Sequence, residues 1–336
     1  MKKIASIIFI GCLSVLFAEV LSGSSQVWYL TFWGIVLTLP LYLAHVVFFL
    51  TIAVRMGKTT LPQLYIYGIL FGLYESWITK VIWAGYFDRS DPSLGTIFGV
   101  GVIEFPSLVF FWHPLMSFIL PIIVYQILTG RIIASHQKLL QKSRKKSVII
   151  ALLIFALSIF SASGNHYSLT SVNWAVFGTY FLIAIFYTLS KKLSLETVAL
   201  GKTGFRVVSI YLVLLYIASF VLMLPNRIPT TAFPYITVGL FYALALFLII
   251  KTKKTDTQLV IPDKNMYSIK DLSMYIIALA VLTNLACLLP IKIAQPLLVL
   301  SYGLMYLTGI IVFITIISMT ILKIKAEKLK GYEYKQ

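Results

Sequence analysis

Runs of about 20 consecutive apolar residues recur along this chain, and no other feature restricts its fold so strongly. A run of that length is what a helix needs to cross the ~30 Å hydrocarbon layer of a bilayer. Lipid offers the backbone no hydrogen-bond partner, so only helices or a closed barrel can span it. Barrel strands alternate apolar and polar residues, and these runs do not. Composition agrees: 60% of the 336 residues are hydrophobic, 12% are charged, and the mean hydropathy is +0.93. A soluble domain carries about a quarter charged residues. The fold class is therefore an all-α, polytopic transmembrane helix bundle.

Ten spans are expected, at about 4–22, 27–54, 61–87, 108–129, 147–163, 172–190, 207–225, 231–250, 272–291 and 296–322. The chain has 28 Lys and Arg. Only Lys80, Arg89, Arg227 and Lys292 lie at one set of span ends, which leaves 24 at the other. Positive charge marks the cytoplasmic side, so both termini are expected in the cytoplasm and the protein in the cell membrane. The opening Met1-Lys2-Lys3 and its apolar run resemble a signal peptide, and Phe9-Ile10-Gly11-Cys12 a lipoprotein cleavage box. The run continues to Ala18 with no small-x-small site after it, so a retained helix is expected. The net charge of +17 sits at helix ends, where it meets anionic lipid, not among aromatic residues as nucleic-acid binding would need. Nucleic acid is excluded as a partner and membrane lipids are expected. Cys12 and Cys287 fall inside apolar runs and form neither a disulfide framework nor a metal site. No metal or other cofactor is expected.

Ionisable residues divide the chain. Residues 147–322 read as an apolar membrane bundle followed by a tail at 323–336. Residues 1–130 instead hold Glu19, His45, Glu75, Lys80, Glu104 and His113. Charge at membrane depth is costly and usually faces the bundle interior with a partner or a function. Glu75 would lie about 21 Å into the third span and Lys80 about 28 Å, where Lys80 can snorkel outward beside Trp83, Tyr86 and Arg89. Gly68, Gly72, Glu75 and Thr79 fall within about 60° of the helical wheel. Glycines at that spacing admit a second helix backbone, so Glu75 should point into the bundle. A broken segment is expected near 95–113, where Gly95, Gly99, Gly101 and Pro106 interrupt the pattern. Pro114 suits the first turn of the next helix, which would push His113 out of the helical region. Glu19, Glu75, Glu104 and His113 are thereby the candidate polar site, opening toward the external side, with Gly68, Gly72 and Thr79 in support.

Phe17-Ala18-Glu19-Val20-Leu21-Ser22-Gly23 and Gly68-Ile69-Leu70-Phe71-Gly72-Leu73-Tyr74-Glu75 resemble two elements of an uncharacterised family of multi-pass prokaryotic membrane proteins. One is a Glu-x-Leu-Ser-Gly element after the first span and the other a Gly-x-x-x-Gly-x-x-Glu element in the third. An Arg after the second span has a counterpart in Arg55, while the family's paired acids are Glu75-Ser76 here. The resemblance covers about the first 85 residues. It implies that Glu19 and Glu75 matter, and it implies no activity. Membrane-embedded CAAX-type proteases carry a Glu-Glu-x-x-x-Arg helix, and this chain lacks both the first acid and the Arg. Three functions fit the pattern. The first is transport or export of a small solute or lipid-like molecule. The second is a membrane-embedded Glu/His hydrolase or transferase acting on a lipid or peptide. The third is a non-catalytic subunit beside a membrane partner.

Overall fold

The computed structural model describes residues 2–86, 91–190, 193–255 and 257–333. Arg89, Lys191, Lys192 and Lys335 of the charge pattern lie outside the described residues. Regular structure among the described residues is helical but for two short strand pairs. Nine helices among the described residues are long and apolar enough to cross a membrane. They are α1 (Lys2–Val20), α2 (Gly34–Met56), α4 (Pro106–Thr129), α5 (Arg144–Gly164), α6 (Leu169–Ser190), α7 (Lys202–Leu222), α8 (Phe233–Lys251), α9 (Ile269–Cys287) and α10 (Ile291–Ala326). The tenth, α3 (Leu61–Thr79), is also long enough, but its tyrosines, Gln63 and Glu75 make it less apolar. It is also buried along most of its length within its own unit.

The helices gather into two compact units. The first comprises Met1–Thr51, Leu120–Phe205 and Thr257–Leu304. There α1 packs on α6, and Phe9 meets Tyr125 and Tyr187 with ring centroids 5.2 and 5.9 Å apart. Helix α5 packs on α9 through Ile159, Ala162 and Ala286. Asn173 of α6 and Asn284 of α9 exchange two amide hydrogen bonds, of 3.0 and 2.9 Å. Both α5 and α9 start on a serine cap, Ser143 accepting from the Lys146 amide and Ser268 sharing a capping box with Asp271. Strands β3 (Ile132–Ile133) and β4 (Leu259–Val260) form a short antiparallel pair, and Lys142 bridges Asp271 at 2.7 Å.

The second unit comprises Ile52–Ile119, Arg206–Asp256 and Met305–Gln336. Here α3 lies against the first half of α4 and against α8. Strands β1 (Thr96–Ile97) and β2 (Val100–Gly101) form a hairpin ahead of α4, tied down where Thr237 donates to the Phe98 carbonyl. Phe110 stacks on Phe313 of α10 at 3.9 Å, and Phe105 meets Phe241 at 4.7 Å. Lys58, in the turn before α3, is buried and donates to the Ile249 and Ile250 carbonyls at the end of α8. Burial, with the Lys254 charge second, holds its pKa below the usual lysine range.

Two local expectations give way. Pro114 does not open a helix; it sits inside one, because residues 106–119 wind as a wide π-helix that carries His113 with them. The Tyr65 hydroxyl of α3 donates to the Phe110 carbonyl of this segment at 2.7 Å. Lys80 does not snorkel outward. It takes a left-handed conformation (φ 59°) at the end of α3, and its ammonium is fully buried. It donates to the Ser219 carbonyl at 3.3 Å and to the Met223 carbonyl, and it lies 5.2 Å from the Phe220 ring centroid. The open carbonyls at a helix C-terminus are natural cation acceptors.

Candidate functional site

Close approach of α3 to α4 creates the site. A Cβ on Gly68 would fall 2.6 Å from the Pro114 Cα, and one on Gly72 would fall 3.1 Å from the Val109 Cα and 3.3 Å from the His113 Cβ. With no side chain at either position the two backbones come near contact, as glycines at this spacing allow. That closeness brings Glu75 Oε2 to 2.8 Å from His113 Nε2. The two atoms are in close contact and are not aligned as a hydrogen bond. His113 is 3% exposed at its side chain and Glu75 is 14% exposed, so the pair is closed at the imidazole and reachable at the carboxylate. The Phe71 ring lies 5.4 Å from the imidazole.

A third group joins on the far side of the ring. Ser117 Oγ stands 3.3 Å from His113 Nδ1, and it also reaches the Trp112 carbonyl at 3.4 Å. Carboxylate, imidazole and hydroxyl thus form one chain of polar atoms. Such a chain can hold and move a proton, since the imidazole takes one at either nitrogen. Ser117 lies one turn after His113, the spacing that puts both on one helix face. That spacing was the available signal for it, and sequence reasoning passed it over.

The remaining candidates are engaged elsewhere. Thr79 returns its hydroxyl to the Glu75 carbonyl at 3.3 Å, where it steadies the helix. Glu104 is fully buried beside the β1–β2 hairpin, and its Oε1 accepts from the Ser93 amide at 2.9 Å and the Ser93 hydroxyl at 2.8 Å. Its Oε2 has no hydrogen-bond partner among the described residues and rests against Gly101. Glu19 belongs to the first unit. There the last turn of α1 widens into a π-helix, Leu16–Val20. Tyr42 donates to Glu19 Oε1, and Ser25 donates to Oε2 at 2.8 Å. His45 Nδ1 lies 2.7 Å from the Leu41 carbonyl of its own helix. No group of three or more His, Cys, Asp or Glu converges among the described residues.

Residues 8–328 match the model of a family described as an uncharacterized membrane protein family. The chain belongs to that family. Membership extends well beyond the first 85 residues on which the sequence resemblance rests. A family relative from Archaeoglobus fulgidus, described as an uncharacterized protein, is 32% identical over 252 residues. The alignment covers 73% of this chain and 77% of that one. No solved structure matches.

Proposed function

We propose that this chain carries a small solute or lipid-like molecule across the cell membrane, with the Glu75–His113 pair as the element that couples movement to protonation. One observation carries the reading: a carboxylate and an imidazole 2.8 Å apart on two membrane helices, buried at one end and reachable at the other. Ionisable pairs of this kind inside helix bundles mark proton relays and substrate paths. The charge pattern supports an orientation of α3 in which Glu75 lies in the outer half of the membrane. A bound proton can then be exchanged from outside, while the Ser117 end stays dry.

The Ser117–His113–Glu75 order supports a second reading, a membrane-embedded hydrolase. It ranks second because Ser117 is fully buried, and a nucleophile must meet its substrate.

The test is thermal unfolding of wild type and Glu75→Gln in detergent from pH 5 to pH 9. A carboxylate kept for function inside a helix bundle is held at a cost in stability, so Glu75→Gln is expected to melt at a higher temperature than wild type. A loss of several degrees at every pH would make the pair a structural clasp and overturn the coupling role.

A further inference from the structure

Helix α7, in the second unit, ends on carbonyls that its own chain does not close. Leu224 turns left-handed (φ 49°), and Pro225, which has no N–H, opens a short 3-10 turn. The Arg227 amide, four residues beyond Met223, donates to the Leu224 carbonyl at 3.0 Å. The Met223 carbonyl is thereby left outside the helical ladder. We infer that the end of α7 is a binding site for a primary ammonium group, and that Lys80 fills it as a ligand tethered to α3.

The geometry matches that chemistry. The Lys80 side chain is fully buried, and its ammonium donates to the Met223 carbonyl, to the Ser219 carbonyl at 3.3 Å and to the Ile78 carbonyl at 3.4 Å. Three acceptors suit the three N–H bonds of a primary ammonium. The Phe220 ring centroid lies 5.2 Å from Nζ, within reach of cation–π attraction. That ring is held in place by its stack on Trp77, with centroids 4.4 Å apart. The positive charge is met by carbonyl dipoles at a helix C-terminus, where the partial charge is negative.

The backbone is bent to deliver the group. Lys80 has φ 59°, a conformation that residues with a side chain seldom adopt. Strain of this kind persists where surrounding contacts hold it, and here the ammonium makes those contacts. A second cation crosses in the opposite direction. Arg227 donates to the Gly85 carbonyl at 3.1 Å, at the end of the turn Val81–Ala84 that follows Lys80. Each segment thus sends a cation to the other's open carbonyls.

The experiment is chemical rescue, read as melting temperature in neutral detergent for wild type, Lys80→Gly and Lys80→Met. Glycine accepts the left-handed backbone, and its substitution leaves a buried void shaped like n-butylammonium, the fragment removed. Lys80→Gly should melt several degrees below wild type. Adding n-butylammonium chloride at about 50 mM should restore about half of that loss. Wild type, whose site is full, and Lys80→Met, whose void is filled, should not respond. Tetramethylammonium has no N–H to donate, so it should not rescue at the same concentration. Three results would each overturn the assignment: no rescue of Lys80→Gly, equal rescue by tetramethylammonium, or equal rescue by potassium. Should Lys80→Gly fail to fold, Phe220→Leu decides the matter in wild type and in Lys80→Met. Its loss of melting temperature should shrink where the ammonium is absent, and equal losses would remove the ring from the site and overturn the proposal. None of these outcomes depends on what Glu75 does.

Discussion

At residue 68 an added Cβ would lie 2.6 Å from the Cα of Pro114, a backbone atom that cannot swing aside. Gly68→Ala should therefore push α3 and α4 apart and cost about 1–3 kcal/mol. Gly239→Ala is the control, because a Cβ at that position meets nothing within 4 Å. Thermal unfolding of the two variants should separate them by several degrees. The same displacement would lengthen the 2.8 Å contact between Glu75 and His113. Single residues also show where sequence reading stops. Glu75 could be aimed into the bundle from its helical wheel, because its glycine neighbours lie in the same helix. The orientation of Lys80 could not be read, because its acceptors are the Ser219 and Met223 carbonyls, some 140 residues away. Side-chain direction at a helix end is decided by whatever helix end lies beside it, and only the folded chain brings the two together.

Between elements, the reciprocal amides of Asn173 and Asn284 join α6 to α9. Neither amide finds water in hydrocarbon; Asn284 also donates to the Ala280 carbonyl at 2.9 Å, and each completes the other across the two helices. Alanine at either position should cost about 0.6–1.7 kcal/mol, and the double variant should cost clearly less than the sum of the singles. A double-mutant cycle on thermal stability measures this, and strict additivity would show that the amides do not act together. Span positions were legible from the sequence, since apolar length follows from the bilayer and leaves a mark in composition. Spans expected at 147–163 and 172–190 are α5 and α6, Arg144–Gly164 and Leu169–Ser190. The course of residues 106–119 was not legible. Pro114 signals a helix start in ordinary α-helical winding, and here it sits inside a π-helix packed closely against α3. The proline rule is local, and its exception is tertiary.

Over the whole molecule, the positions of the basic residues predict a direction for every span. Ser143 and Ser168 sit at opposite ends of α5, each capping the helix that follows it. With Cys12 and Cys287 replaced by alanine, a cysteine at 143 should react with a membrane-impermeant thiol reagent only from the cytoplasmic side. A cysteine at 168 should react only from outside, and the reverse pattern would invert the topology. One consequence of the buried third helix concerns how the protein is made. α3 is the long helix that is not apolar enough to count among the nine candidate spans, and α4 and α8, which wall it in, are both synthesised after it. When it leaves the ribosome its glutamate, glutamine and tyrosines have no protein to face. Its partition from the translocon into lipid is therefore weak on its own. Commitment of α3 to the membrane is expected to wait for α4, and a chain truncated before α4 should leave α3 poorly inserted.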